Sequence, residues 1–147
     1  MGDDMNPPRR ILLVEDEGPL RRCLTLNLAR RGYSVAEADS VESADDALHA
    51  ASFPFDAIVL DVNLPDQTGW DVLRHLREAH AEHRPAIILA TAARPVQQRL
   101  NEFHPDAVLL KPFPISALVR LLERVLDAKD LPDPPDSRPN AHTQSDL

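Results

Sequence analysis

Cysteine is almost missing from this chain. Cys23 is the only one in 147 residues, so no internal disulfide can form and a thiolate metal centre lacks ligands. Aromatic residues make up 4% against a hydrophobic total of 43%, which suits an aliphatic α/β interior better than a coiled coil or a disordered chain. Basic residues are in deficit, 16 against 24 acidic, for a formal net charge of −8. A nonspecific grip on phosphate backbones needs clustered Lys and Arg, so direct binding to nucleic acid is not expected. No apolar run approaches membrane-spanning length. The opening MGDDMNPPRR has no apolar stretch of a signal peptide, and Asn6 stands where a myristoylation signal needs Ser or Thr. The expectation is a soluble cytoplasmic protein with no membrane contact.

What is present is alternation. The length predicts one domain, and a folded part of about 120 residues can hide roughly two-thirds of its unfolded surface. Short apolar runs occur at ILLV (11–14), YSVAEA (33–38), AIVL (57–60), AIILA (86–90) and AVLL (107–110). Four of the five are nearly solid apolar, as strands covered on both faces are. Helical patterns lie between them. In 18–31, Leu20, Cys23, Leu24 and Leu28 share a face, and Gly32 is a natural stop. In 40–52, Asp39 or Ser40 can cap, with Glu42 completing a box after Asp39; Val41, Ala44, Leu48 and Ala51 form the inner stripe, and Pro54 ends it. Residues 69–82 put Val72, Leu73 and Leu76 on one side. The fourth helix is short, with Pro95 in its first turn and Val96, Leu100 and Phe103 at i, i+4 and i+7. The fifth, 114–127, carries a broad stripe from Ile115 through Leu118, Val119, Leu122, Val125 and Leu126. Leu121 is either the rim of the core or a free edge for a partner.

Five strand–helix units predict a parallel sheet with helices on both faces. The domain is expected over 9–128, after a disordered N-terminus (1–8). Residues 129–147, acidic and rich in proline, cannot build a core and are expected to be a solvated tail.

In open parallel sheets, ligands bind beyond the carboxyl ends of the strands. The residues just after each run are therefore the candidates. The first run is followed by Glu15, Asp16 and Glu17, the third by Asp61, Val62 and Asn63, the fourth by Thr91, and the fifth by Lys111 and Pro112. Carboxylates about 5 Å apart repel by roughly 3 kcal/mol per pair at an effective dielectric of about 20. Such a group takes up a proton or holds a cation. Lys111 offsets one charge, and a hard divalent ion with oxygen ligands suits Mg2+. A carboxylate beside Mg2+, an ammonium and a hydroxyl is also equipped to accept a phosphoryl group.

Taken in order, ILLVEDE, VLDVNLPDQTGWDVL, ILATA and LLKPF resemble the receiver domain of two-component response regulators, over roughly residues 9–127. The resemblance implies a flavodoxin-like (βα)5 fold of strand order 2-1-3-4-5. It implies Asp61 as phospho-acceptor. Asp16, Asp61 and the main-chain carbonyl of Asn63 would ligate Mg2+, and Glu15 would act through water. Thr91 and Lys111 would contact the phosphoryl group. The Lys111–Pro112 bond matches the family's cis peptide, and Pro65 and Gly69 match the loop after the acceptor. Glu17, Asp66 and Asp71 are read as surface charges and Trp70 as packing. His75, His80 and His83 with Glu82 are read as a solvated polar face rather than a second metal site.

The sequence also departs from that family. Receivers usually carry Tyr or Phe three residues before the rim lysine, where this chain has Val108, a side chain stiff at χ1. The interval from Thr91 to Lys111 is about two residues short, and FHPDA replaces the usual Gly-Ala-Asp turn. The resemblance implies a stand-alone response regulator, monomeric or weakly dimeric. It would take phosphate from a histidine kinase or phosphotransfer protein and signal through an unknown protein target, with no enzymatic turnover beyond its own phosphotransfer and dephosphorylation. The rival is a receiver-like binding module acting without phosphate. A Mg2+-dependent phosphohydrolase would place a second Asp where Asn63 stands, and a flavodoxin would need a Ser/Thr-rich loop after the first strand.

Overall fold

The computed structural model describes residues 7–50, 54–79 and 83–130. Five strands, β1 (Arg10–Val14), β2 (Ser34–Ala38), β3 (Ala57–Leu60), β4 (Ala86–Thr91) and β5 (Ala107–Leu110), alternate with five helices. These are α1 (Gly18–Arg30), α2 (Val41–Ala50), α3 (Gly69–Ala79), α4 (Gln97–Phe103) and α5 (Ile115–Asp130). All pairings are parallel, in the order β2-β1-β3-β4-β5. The predicted flavodoxin-like sheet and its five helices are therefore observed. The expected Ala51, His80 and Glu82, most of the N-terminal segment and nearly all of the tail lie outside the described residues.

Alternate residues of each inner strand supply two separate cores. Leu12, Val14, Ile58, Leu60, Ile87 and Leu89 face α2 and α3, with Val41, Ala44, Leu48, Val72, Leu73 and Leu76. Ile11, Leu13, Val59 and Ile88 face α1 and α5, with Leu24, Leu28, Leu118, Leu122, Val125 and Leu126. The period of two places successive side chains on opposite faces. That is why these runs read as solid apolar: both faces are covered.

Several local expectations change. Cys23 is exposed because Leu24 and Leu28, one turn apart, aim the helix at the sheet and leave Cys23 to one side. Val96 is 64% exposed and extended (φ −69°, ψ 152°), so α4 starts after it instead of at Pro95. Leu121 is half-buried against the α1/α5 core, which makes it the rim of that core. The cap of α2 is Ser40, whose Oγ accepts the Ser43 N–H at 3.1 Å while Ser43 Oγ accepts the Ser40 N–H at 3.1 Å. Glu42 has no part in that reciprocal box because α2 begins at Val41, which puts Ser43 at the third helical position. Gly32, at φ +94°, ends α1 as expected, with its N–H and that of Tyr33 returning to Ala29 O and Leu28 O. Beyond the expected end at 127, α5 runs to Asp130, where Asp130 pairs with Arg9 and Lys129 bonds the Arg84 carbonyl.

Candidate functional site

The carboxyl ends of β1, β3, β4 and β5 meet at one rim. Glu15 and Asp61 each follow a strand directly and are pinned through the main chain, Glu15 N–H to Ala38 O at 2.9 Å and Asp61 N–H to Val14 O at 3.0 Å. Both are buried, at 2% and 5% exposure, whereas Asp16 is exposed. One carboxylate oxygen from each of Glu15, Asp16 and Asp61 lies within 4.8 Å of the other two. Lys111 reaches them from the end of β5, its Nζ 2.7 Å from Glu15 Oε1 and 2.8 Å from Asp61 Oδ2. The other Asp61 oxygen, Oδ1, accepts the N–H of Asn63 at 3.0 Å.

These contacts set the electrostatics. Burial raises the Glu15 carboxyl above its ordinary 4.5, against the opposing pull of Lys111 and the Glu17 N–H. Burial also works to lower Lys111, but its bonds to Asp61 and Glu15 outweigh that and carry it above its ordinary 10.5. Three carboxylates against one ammonium leave a formal excess of two negative charges, the charge of one dication. The donors are all hard oxygens, and the cluster joins one exposed acid to two buried ones. That donor set fits Mg2+.

Thr91, the last residue of β4, is 1% exposed, and its carbonyl accepts the Lys111 N–H at 2.9 Å. With Val62, Asn63, Trp70, Ala93, Arg94 and Val96 it lines a cavity of about 260 Å³ beside the rim. The Lys111–Pro112 peptide is cis. Gly69 follows the turn after Asp61 because nothing larger fits: an added Cβ would stand 2.5 Å from the Asp61 carbonyl oxygen and 3.0 Å from Val62 Cα.

Other residues have roles that sequence reasoning did not assign. Asp66, expected to be a plain surface charge, is exposed but accepts three backbone N–H groups, including those of Val41 and Glu42 at the start of α2. No local sequence pattern marks this, since its partners lie 24 and 25 residues away. Arg21 ties the start of α1 to the rim, donating to Glu15 O at 2.7 Å and to Glu37 at 2.9 Å. Trp70 packs as expected, stacked on Phe103 with centroids 5.3 Å apart. Among the described residues, His75 and His83 do not converge on a metal site. His75 pairs with Asp45 at 2.7 Å and His83 bonds the Phe55 carbonyl at 3.0 Å, so neither is simply solvated. Val108 sits half-buried against the α2/α3 core.

A parallel sheet covered on both faces, with an acidic cluster at its strand ends, defines a flavodoxin-like α/β domain, and comparison narrows it. The family model described as the response regulator receiver domain matches residues 11–123. The chain is 36% identical over 121 residues to the transcriptional regulatory protein PcoR of Escherichia coli, covering 80% of this chain and 51% of that protein. Among solved structures, the non-phosphorylated HemR receiver domain of Leptospira biflexa superposes with a TM-score of 0.72 at 30% identity, covering 86% of this chain and 98% of that one. The response regulator TrrA of Thermotoga maritima, solved in complex with Mg2+–BeF, gives 0.68 at 26% identity and covers 80% and 98%. The chain belongs to the response regulator receiver domain family. It spans about half the length of the curated relatives it matches. Among the described residues, no helix is long and apolar enough to cross a membrane.

Proposed function

We propose that this receiver domain accepts a phosphoryl group on Asp61 from a phosphohistidine of a histidine kinase or phosphotransfer protein, in the cytoplasm. The observation that carries this reading is the Lys111 ammonium held between Asp61 and Glu15. Mg2+, when bound through Asp16, Asp61 and the Asn63 carbonyl, with Glu15 acting through water, supplies positive charge to the transferred oxygens. An Asp61 carboxylate oxygen attacks phosphorus. The phosphorus–nitrogen bond of the donor breaks, and its electron pair returns to the imidazole. Lys111 shifts its donation from Asp61 Oδ2 to a phosphoryl oxygen, and the Thr91 hydroxyl donates to another. Loss of the group reverses the bond change, with water attacking phosphorus and Asp61 leaving as carboxylate.

Signal follows only if the two states differ in affinity for a partner, so output runs through a protein contact. The test is incubation with a small acyl phosphate and Mg2+, read by intact mass. The chain is expected to gain one phosphoryl group, and to gain none with Asp61→Asn or a chelator. A module working without phosphate is the second reading, favoured by Val108, which has no ring to turn between buried and exposed positions. It prevails if Asp61→Asn leaves partner binding unchanged and the wild type does not label.

A further inference from the structure

The turn between β3 and α3 carries Asn63 and is held at two places. Its base is closed by an antiparallel bridge between Asn63 and Thr68 and by the Gly69 N–H donating to Val62 O at 2.6 Å. Its tip is held by Asp66. Oδ1 accepts the N–H groups of Val41 and Gln67, each at 3.0 Å, and Oδ2 accepts that of Glu42 at 3.1 Å. Val41 and Glu42 open α2, and their N–H groups have no partner inside a helix. The Ser40–Ser43 box satisfies the N–H of Ser43 and leaves these two to Asp66. A carboxylate is well matched to them, since the helix N-terminus carries partial positive charge. Those bonds, the one from Val41 foremost, hold the Asp66 carboxyl below its ordinary 3.8, so it is ionised throughout the neutral range.

We propose that Asp66 is a positioning residue for the metal site: by clamping the β3–α3 turn to the start of α2, it sets where the Asn63 carbonyl stands and so the affinity for Mg2+. This rests on the reading of Asn63 as a ligand. The lever is short, because Asp66 lies three residues from Asn63 on a turn whose base is already closed. With the tip released, the carbonyl samples more orientations and the ion must order them on binding. Groups hydrogen-bonded directly to a metal ligand typically change affinity by roughly 10- to 100-fold when removed, and Asp66, which acts on Asn63 through the turn, is placed at the low end of that range.

The experiment titrates the full chain with magnesium chloride by calorimetry and compares wild type, Asp66→Ala, Asp66→Asn and Asp16→Asn. Melting temperatures are taken in Mg2+-free buffer. Asp66→Ala is expected to weaken Mg2+ binding by roughly tenfold. Asp66→Asn, which keeps one acceptor oxygen, is expected to fall between it and wild type. A helix cap with no positioning role would lower the melting temperature and leave the Mg2+ Kd unchanged, which overturns the inference while the metal reading stands. If Asp66→Ala does not fold, Asp66→Asn decides, and a wild-type Kd in that variant overturns the inference. Failure of the wild type to bind Mg2+, or wild-type binding by Asp16→Asn, overturns the metal reading and this inference together.

Discussion

Lys111 and Asp61 lie 50 positions apart in the chain, yet Nζ and Oδ2 stand 2.8 Å from each other. The same ammonium reaches Glu15 at 2.7 Å, and the three side chains are 19%, 6% and 3% exposed. One cation thus serves two buried anions. Breaking a buried pair by removing one partner costs about 3–5 kcal/mol, and the partial exposure of Lys111 reduces this by screening. Lys111→Met is therefore expected to lower stability by about 2–3 kcal/mol in Mg2+-free urea unfolding. It should also tighten Mg2+ binding, because the dication no longer competes with an ammonium. Weaker Mg2+ binding in the variant would contradict this account.

The pH dependence follows from the same cluster. The folded chain holds the Glu15 proton above pH 4.5, where the unfolded chain has released it. The unfolded state then binds fewer protons, so stability falls as pH rises from 4.5 through the raised folded value. Glu15→Gln should remove that decline. The check is urea unfolding in steps from pH 4.5 to neutrality without Mg2+, and equal slopes for both proteins would refute it. Lys111 acts at the other end of the scale. Its stabilising contribution is complete below 10.5 and is lost as pH climbs through its raised value.

Gly69 offers a test of close packing. Ala at the start of an exposed helix normally stabilises relative to Gly. Here the added methyl meets the Asp61 carbonyl at 2.5 Å, and overpacking of this kind costs about 1–3 kcal/mol. Gly69→Ala is expected to destabilise and to slow labelling of Asp61, since the backbone that must yield is the acceptor's own. A more stable variant with normal labelling would remove the stated reason for this glycine.

His104 ends α4 in the left-handed region, at φ +50°, with its N–H on Leu100 O at 2.9 Å. A non-glycine residue there carries strain of order 1 kcal/mol. His104→Gly should raise the melting temperature by several degrees without changing Mg2+ affinity. This places a left-handed helix end inside the FHPDA turn. Asp106 anchors that turn to β4 by accepting the Ile87 N–H at 2.7 Å.

Much of this was legible in the residues. Solid apolar runs such as AIVL mark doubly covered strands because backbone alternation sends each side chain to one of two buried faces, and their spacing leaves room only for helical crossovers. Strand ends then identify Glu15, Asp16, Asp61, Thr91 and Lys111. Helix starts were less legible. Val96 lies before the first turn of α4 and Glu42 outside the Ser40–Ser43 box, because a cap depends on where the first turn begins, which neighbouring contacts decide.

Local patterning thus determined five parallel strands covered on both faces and the kind of chemistry at the rim, since periodicity and residue type are properties of adjacent residues, while the strand order came from the family resemblance. Only the tertiary structure decided that Asp66 closes the start of α2, that Gly69 lies against the acceptor's carbonyl, and that one lysine spans two acids. The Asp66 and Lys111 contacts are of about 3 Å between segments 24 or more residues apart, and the Gly69 approach depends on how the turn folds back on itself; no short-range pattern encodes such distances.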